Sequence, residues 1–133
     1  MDAQLSYVGI IKSPLKHLKN CPKQGSEDGV HARIEIFEPY RECLKGITPG
    51  SKLIILTWLH KSDRNCLCVH PRANPGNPLT GVFLTRSPNR PNPIGLHEVN
   101  VLESDSQHLI VTPLEVLDNT PVVDIKVQWP SNP

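Results

Sequence analysis

Three closely spaced prolines, Pro88, Pro91 and Pro93, stiffen the segment from Thr85 to Leu96, which reads T-R-S-P-N-R-P-N-P-I-G-L. Each proline fixes its own φ angle and removes a backbone hydrogen-bond donor. Each also disfavours helical geometry in the residue before it. The segment therefore favours neither a helix nor a strand that pairs along its full length.

Two arginines and two asparagines are carried on this stiff backbone: Arg86, Asn89, Arg90 and Asn92. Arginine forks recognise carboxylates and phosphates through paired hydrogen bonds, so fixed arginines suit an anionic or polar ligand. The other interpretation is a rigid connector whose arginines are solvated. The residues alone leave both interpretations open.

Length and composition limit the class of protein. A chain of 133 residues suits one domain with its own core, so we expect a single domain over residues 1–133. Its 14 prolines argue against long helices, and its net charge of +1 gives no overall sign of a nucleic-acid-binding protein. The N-terminus lacks the features of a secretory signal, and no apolar run reaches the 18 residues of a membrane span. We expect a cytoplasmic protein whose four cysteines are reduced thiols.

Short strands dominate the hydrophobic pattern. Apolar and polar residues alternate from His31 to Phe37, and the apolar run Lys52 to His60 is typical of a central strand. Pro39 to Leu44 predicts one helical turn, whereas Lys16 to Gly29 and Arg72 to Leu79 read as loops. Further strand candidates are Leu5–Lys12, Asn65–His70, Thr80–Thr85, Leu96–Glu103, His108–Val116 and Pro121–Trp129. This series predicts an all-β antiparallel barrel or sandwich with long loops and at most short helical turns.

Three further places could belong to a site. His60 and Lys61 end the central strand, where a histidine can titrate near neutral pH or simply bond a backbone carbonyl. The loop Cys21–Gly25 could fold over a pocket or remain a solvated basic loop. Asp118 and Asn119 are turn formers, and a plain β-turn is the simpler interpretation. The chain has no Rossmann glycine motif, no Walker loop and no G-x-S-x-G.

A metal site at the cysteines is disfavoured. Cys66, Cys68 and His70 alternate along one strand candidate and would share a face. Ligands on one flat strand lie about 7 Å apart, which is too wide for easy tetrahedral coordination of zinc. We therefore expect no metal and treat these cysteines as thiols, with a zinc-binding regulatory protein as a minor alternative.

The run G-V-F-L-T-R-S-P-N-R-P-N-P-I-G-L, Gly81 to Leu96, resembles the hallmark segment of the TsaA-like (TrmO-type) family. Val8 to Pro14 resembles the opening strand of that family, and Pro22-Lys23-Gln24 its P-R-Q loop with lysine in place of arginine. Leu117 to Lys126 resembles its L-D-G-T-P-V-x-D-I-K motif, with Asn119 in place of glycine. The chain is similar to a short form of the family that lacks a C-terminal domain.

The resemblance implies a closed β-barrel that binds S-adenosylmethionine, usually as a homodimer with the pocket near the subunit interface. It implies a methyltransferase that acts on the amino nitrogen of threonylcarbamoyladenosine in tRNA, or on a related acceptor. The alternative is a barrel that binds S-adenosylmethionine or another adenosine compound without catalysis, as a regulatory or interaction module. An RNA-binding face needs a concentration of cations, and we expect it only from Lys12 to Lys23.

Carried over by motif, the resemblance implies a set of contact residues. Cofactor contacts are expected from Lys23, Gln24, His60, Lys61, Arg86, Leu96, Asp118, Asn119 and Thr120. Asn89, Arg90 and Asn92 are expected to shape the pocket or the substrate entrance. His60 is the candidate catalytic base or orienting group, because an unperturbed histidine titrates near working pH.

Overall fold

The structure is a computed structural model that describes residues 3–15 and 30–129. Its strands are β1 (Gly9–Lys12), β2 (Ala32–Ile36), β3 (Lys52–Trp58), β4 (Cys68–Val69), β5 (Thr80–Gly81), β6 (Ile94–Ser104), β7 (His108–Thr112) and β8 (Thr120–Val127). Short 3-10 helices cover Glu38–Leu44, Pro71–Ala73 and Val82–Leu84. In the described ranges, no helix has the length and apolar character needed to cross a membrane.

A closed barrel in the order β1-β2-β7-β6-β3-β8 forms the body of the protein. Every neighbouring pair is antiparallel, and β8 returns to pair with β1, so the barrel leaves no open edge. The predicted all-β class and the closed antiparallel barrel are confirmed. The sandwich alternative is excluded.

Alternate residues of each barrel strand fill the interior. On β3, Leu53, Ile55 and Thr57 are buried, while the residues between them are more accessible. The same alternation along the other strands brings their apolar side chains into one cluster. Its members include Ile11, Ile34, Ile55, Val99, Val101, Leu109, Val111 and Val122.

The helical turn predicted at Pro39–Leu44 is confirmed as the 3-10 helix Glu38–Leu44, with proline in its first turn. Leu44 is buried in the core at the end of this helix. Gly46 follows with a φ of +95°, a conformation that favours glycine and ends the helical turn. The free cysteines in the described part of the chain are Cys43, Cys66 and Cys68, whereas Cys21 lies outside the described residues.

Several strand predictions were too long: β1 begins only at Gly9 of the predicted Leu5–Lys12, and β7 ends at Thr112 of the predicted His108–Val116. Two other predictions shrink to two residues each. Asn65–His70 contains only the two-residue β4, and Thr80–Thr85 only the two-residue β5. These strands pair with each other alone, outside the barrel, and the chain turns into a 3-10 helix at Val82. A hydrophobic run is ambiguous between a strand and a short turn when no barrel neighbour extends it.

The prediction that β3 continues to His60 was also wrong, because the strand ends at Trp58. Leu59 N still donates to Pro93 O at 2.8 Å. Pro93 has no N–H to return, so the ladder between β3 and β6 stops there. His60 therefore lies in the connection that follows the strand.

One polar pair lies among the inward-facing residues of the barrel. Thr57 Oγ1 on β3 and His97 Nε2 on β6 lie 2.9 Å apart and share a hydrogen bond. Gly95 leaves the space for this pair, because a Cβ there would collide with Thr57 Oγ1 and lie 2.7 Å from His97 Nε2. Burial disfavours the charged imidazolium and lowers the pKa of His97 to about 4.

We expect His97 to make folding stability fall at mildly acidic pH. The unfolded chain takes up a proton near pH 6.5, whereas the folded protein does so only near pH 4. The stability from neutral His97 is therefore complete above about pH 6.5 and is lost as pH falls toward 4, by at most about 3 kcal/mol. The free energy of unfolding, measured with urea at several pH values from 4 to 8, should depend more steeply on pH for the wild type than for His97→Gln. Replacing the exposed His31 with glutamine is the control, and an identical slope for wild type and His97→Gln would contradict this role.

Candidate functional site

Strand directions gather the predicted site segments at one end of the barrel. The end of β3 pairs with the start of β6, Trp58 opposite Ile94, and with the start of β8, Thr57 opposite Val122. The end of β1 pairs with the start of β8, Ile11 opposite Thr120. The segments before β6 and β8 and the segments after β1 and β3 therefore emerge at the same end, which we call the site end.

The proline segment, residues 85–93, is held by the residues that follow β3. Asp63 donates its backbone N–H to Asn89 Oδ1 at 2.9 Å, and its carbonyl accepts from Arg90 N at 3.0 Å. Asp63 Oδ1 in turn accepts from Asn65 N at 2.8 Å, which fixes the local turn. The backbone of Asp63 thus acts as a partner for a segment whose prolines leave it few backbone donors of its own.

Arg64 adds the second part of this attachment. Its Nε donates to Pro91 O at 2.8 Å, and a terminal nitrogen donates to Asn92 Oδ1 at 3.1 Å. Its guanidinium carbon lies 5.0 Å from the ring centroid of Trp58, a cation–π contact. One exposed side chain therefore joins the end of β3 to the proline segment.

The side chain of Arg90 forms hydrogen bonds within the proline segment itself. One terminal nitrogen donates to Thr85 O at 3.0 Å and to Ser87 O at 3.2 Å. Asn89 and Asn92 each accept a hydrogen bond from the Asp63–Arg64 pair, as described above. Asn89, Arg90 and Asn92 therefore hold the shape of this segment, and their role in shaping a pocket or substrate entrance stays a prediction.

Arg86 differs from its neighbours. Its side chain is exposed and, within the described ranges, makes no hydrogen bond or ion pair. The exposed His60 and Lys61, after β3, are likewise without such a partner among the described residues. The site end thus presents a guanidinium, an imidazole and an ammonium group that are available to a ligand.

Hydrogen bonds also account for the turn before β8. Asp118 N donates to Leu15 O at 2.7 Å, Asn119 N to Ile11 O at 2.8 Å, and Thr120 N to Leu117 O at 3.2 Å. The buried Thr120 hydroxyl donates to Leu117 O as well, at 2.7 Å. The backbone N–H groups of this turn already donate to protein carbonyls, so a ligand there would meet side chains and carbonyl oxygens.

The side chains of the turn tie it to β1. Asp118 Oδ1 accepts from Ser13 N at 2.9 Å, and Asn119 Oδ1 accepts from Lys12 Nζ at 2.6 Å. Asn119 has a φ of +69°, in the left-handed region that glycine favours and asparagine tolerates. The substitution of asparagine at a glycine position of the motif is therefore compatible with this turn.

The other predicted contact residues differ in where they lie. Leu96 faces outward on β6, 42% exposed, in register with Leu56 of β3. Lys23 and Gln24 lie outside the described residues. Asp118 N donates to the carbonyl of Leu15, the last described residue before the range that contains Lys23 and Gln24.

No metal site is formed by the described residues. Among residues 3–15 and 30–129, no group of three or more histidine, cysteine or acidic side chains comes close enough to bind an ion. Cys66 Sγ donates instead to the carbonyl of Cys68 at 3.3 Å.

A cleft of about 240 Å³ lies away from the site end, and its lining is mostly apolar. Ile36, Leu44, Leu53 and Val127 contribute to that lining. Leu53 and Val127 pair where β3 begins and β8 ends, which is the opposite end of these strands. None of the predicted site residues that the structure describes lines this cleft.

Sequence reasoning missed Asp63 and Arg64 as parts of the site. Both precede the strand candidate Asn65–His70 and belong to no motif that was quoted. Their partners lie 26 to 28 residues further along the chain, so spacing gives no signal of the contact. One chemical signal was available. A proline-rich segment leaves carbonyl acceptors without backbone donors, and an arginine elsewhere in the chain can donate to them.

Several known proteins resemble this chain in sequence. The family model for the tRNA-methyltransferase O N-terminal domain matches residues 10–132. A probable S-adenosyl-L-methionine-binding protein of Archaeoglobus fulgidus is 45% identical over 126 residues, which is 95% of this chain and 34% of that protein. The tRNA (adenine(37)-N6)-methyltransferase of Escherichia coli is 35% identical over 136 residues, covering 96% of this chain and 58% of that enzyme.

Solved structures share the fold. The crystal structure of TrmO from Pseudomonas aeruginosa matches with a TM-score of 0.77 and 28% identity, over 98% of this chain and 56% of that one. The chain thus spans about a third of the A. fulgidus relative and somewhat over half of the other two proteins. This chain belongs to the family of the tRNA-methyltransferase O N-terminal domain.

Proposed function

We propose that this chain is an S-adenosylmethionine-dependent methyltransferase whose acceptor is the amino nitrogen of threonylcarbamoyladenosine in tRNA, or a related acceptor. Two findings support this proposal: membership of the family, and the tRNA methyltransferase activity for which the E. coli relative is named. The observation that carries it is the contrast within the proline segment. Arg86 has no partner in the described chain, whereas the other polar side chains quoted from the segment are bonded to protein.

The residues at the site end fit the charge distribution of S-adenosylmethionine. A free guanidinium on a stiff backbone can clamp the carboxylate of the methionine portion through two parallel hydrogen bonds. We assign that role to Arg86. We assign the remaining cofactor contacts to Lys23, Gln24, His60, Lys61, Leu96 and the turn Asp118–Thr120, as the family motif implies.

When bound, S-adenosylmethionine supplies a methyl group already activated by its sulfonium. The protein must then hold the acceptor nitrogen in line with that group and shield the site from water. An attached carbonyl makes the acceptor nitrogen acidic, so modest assistance by a base is sufficient. His60, exposed beside Lys61 after β3, is the group that we propose takes or orients this proton.

Charge distribution favours RNA as the carrier of the acceptor. Residues 59–93, which we call the basic excursion, contain five lysines and arginines and a single acid, Asp63, for a net charge of +4. The rest of the chain contains nine lysines and arginines and 12 acids, for a net charge of −3. Lys12 to Lys23 is therefore not the sole concentration of cations. A local excess of positive charge at the site end is suited to phosphates, and an enzyme that modifies tRNA would act in the cytoplasm.

Exposed apolar side chains in the basic excursion support a homodimer. Phe83 is 85% exposed and Leu84 is 87% exposed, in the turn directly before Arg86. Leu67 and Leu79, on the two chain segments of the small β4–β5 sheet, are also exposed. Large apolar side chains grouped in this way are costly in water and are suited to burial against a second copy. We propose that two copies pair through this surface.

Replacing Arg86 should weaken cofactor binding. Losing a charge-assisted pair of hydrogen bonds costs about 1.5–3 kcal/mol, so Arg86→Ala should raise the Kd for S-adenosylmethionine about 10- to 100-fold in calorimetry. Arg86→Lys keeps the charge without the fork and should fall between wild type and Arg86→Ala. Arg72→Ala removes an equal charge from the same excursion and should leave the Kd within about twofold. An unchanged Kd for Arg86→Ala would refute the assigned clamp.

Methyl transfer distinguishes the enzyme from the alternative binding module. The relative from A. fulgidus is named for binding alone, which keeps that alternative open. We expect radiolabelled methyl groups from S-adenosylmethionine to be incorporated into tRNA that carries threonylcarbamoyladenosine, and not into tRNA without this modification. Tight cofactor binding with no incorporation into any RNA pool would instead favour the non-catalytic module.

The dimer can be tested by light scattering after size exclusion. We expect the wild type to have twice the 14.8 kDa mass of one chain. A double change, Phe83→Asp with Leu84→Asp, should yield monomers because two charges would otherwise be buried in the interface. Leu5→Asp, at a side chain 57% exposed outside the excursion, is the control and should remain dimeric. A monomeric wild type at tens of micromolar would exclude this interface.

A further inference from the structure

Within the described ranges, the long-range hydrogen bonds of the proline segment go to three residues, Leu59, Asp63 and Arg64. Pro93 O accepts from Leu59 N, the Asp63 backbone bonds Asn89 and Arg90, and Arg64 bonds Pro91 and Asn92. Most of these contacts use the backbone of residues 59–63. The side chain of Arg64 is the exception and contributes two of them.

The chemistry of this contact requires an arginine. Its Nε and a terminal nitrogen donate along one edge of a planar fork, to a backbone carbonyl and to a side-chain oxygen of adjacent residues. The guanidinium carbon of the same group lies over the Trp58 ring, 5.0 Å from its centroid. A lysine would keep the charge but has neither the fork nor the flat face, so it could not form all three contacts together.

Geometry connects these contacts to the site. Trp58 ends β3 and is paired with Ile94, the first residue of β6, whose N–H donates to Asn92 O at 2.7 Å. Arg64 therefore links the last residue of one strand to the loop that leads into its neighbour. Asp63, directly before Arg64, holds the other half of that loop at Asn89 and Arg90. Arg86 lies at the start of this braced segment and makes no hydrogen bond with residues 59–64.

We propose that Arg64 is a positioning residue, with Trp58 as its platform, that holds the proline segment in the conformation presenting Arg86 to the ligand. The proposal rests on the proposed function for the identity of that ligand. Two of the five N–H donors of Arg64 are used by Pro91 O and Asn92 Oδ1. We assign this side chain to holding the segment rather than to contact with the ligand. Its effect on binding passes through the backbone of residues 89–92.

The test compares three variants: Arg64→Ala, Arg64→Lys and, as control, Arg72→Ala. The first readout is amide hydrogen exchange in the ligand-free protein. We expect exchange at Arg90 N–H and its neighbours to accelerate about tenfold or more in both Arg64 variants, since each loses the fork and the stack. Amides of β3 and β6 within the barrel should be unchanged, and so should all amides in Arg72→Ala.

The second readout is the Kd for S-adenosylmethionine at low and high salt. We expect both Arg64 variants to bind about tenfold more weakly, with the same ratio at both salt concentrations. Rescue by Arg64→Lys, or a loss matched by Arg72→Ala, would mean that charge alone matters and would overturn the proposal. So would unchanged exchange at residues 89–92 in Arg64→Ala.

Hydrogen exchange separates this proposal from the proposed function. If the wild type bound no S-adenosylmethionine while both Arg64 variants accelerated exchange at Arg90, the function would fail and the positioning role would stand. A double-mutant cycle with Trp58→Leu provides a second variant. Because Arg64 and Trp58 act together, the double variant should accelerate exchange less than the product of the single effects. Simple multiplication of those effects would contradict the shared platform.

Discussion

The hydrogen bonds between residues 59–64 and the proline segment are the constraint on which the site depends. A segment with three prolines in six positions has few backbone donors with which to pair with a neighbouring strand. It is fixed because a neighbouring turn offers the Asp63 backbone and the Arg64 side chain as partners. The barrel places these two connections side by side, since one leaves β3 where the other enters β6. Without that adjacency, the segment would be a flexible loop with solvated arginines.

Side chains that already hydrogen-bond to protein can be distinguished from those still able to contact a ligand. Arg90, Asn89 and Asn92 are bonded to protein, while Arg86 has no hydrogen-bond or ion-pair partner among the described residues, although all four belong to one motif. Motif membership alone assigns them equal importance. A cation that is held on a stiff backbone and has no protein partner is ready to meet an anion without first breaking another bond. The turn before β8 is the opposite case, because its backbone donors secure β8 to β1.

The barrel itself was predictable from the sequence, because strand alternation is a local signal. The period of two from His31 to Phe37 and the apolar run of β3 identified strands that the structure contains. Residue patterns alone did not choose between a barrel and a sandwich, since closure depends on the long-range pairing of β1 with β8. The short β4 and β5 were overestimated because their pairing extends over only two residues.

The parts of the site that sequence could not predict depend on contacts between distant residues. Arg64 meets Asn92 across 28 positions, and Thr57 meets His97 across 40, and neither pair has a characteristic spacing. Arg86, by contrast, could be singled out from the sequence because the family motif is contiguous, and its contact with a ligand stays a prediction. Contiguous motifs are visible in a sequence, whereas the residues that brace them become visible only in three dimensions.

A crystal structure with S-adenosylmethionine bound is the most direct test of this view of the site. We expect the guanidinium of Arg86 within hydrogen-bond distance of the methionine carboxylate. The backbone of residues 85–93 should lie within about 1 Å of its ligand-free position, with the Arg64 contacts to Pro91 and Asn92 intact. A ligand whose carboxylate is held elsewhere, with Arg86 left in solvent or with residues 85–93 rearranged, would contradict it.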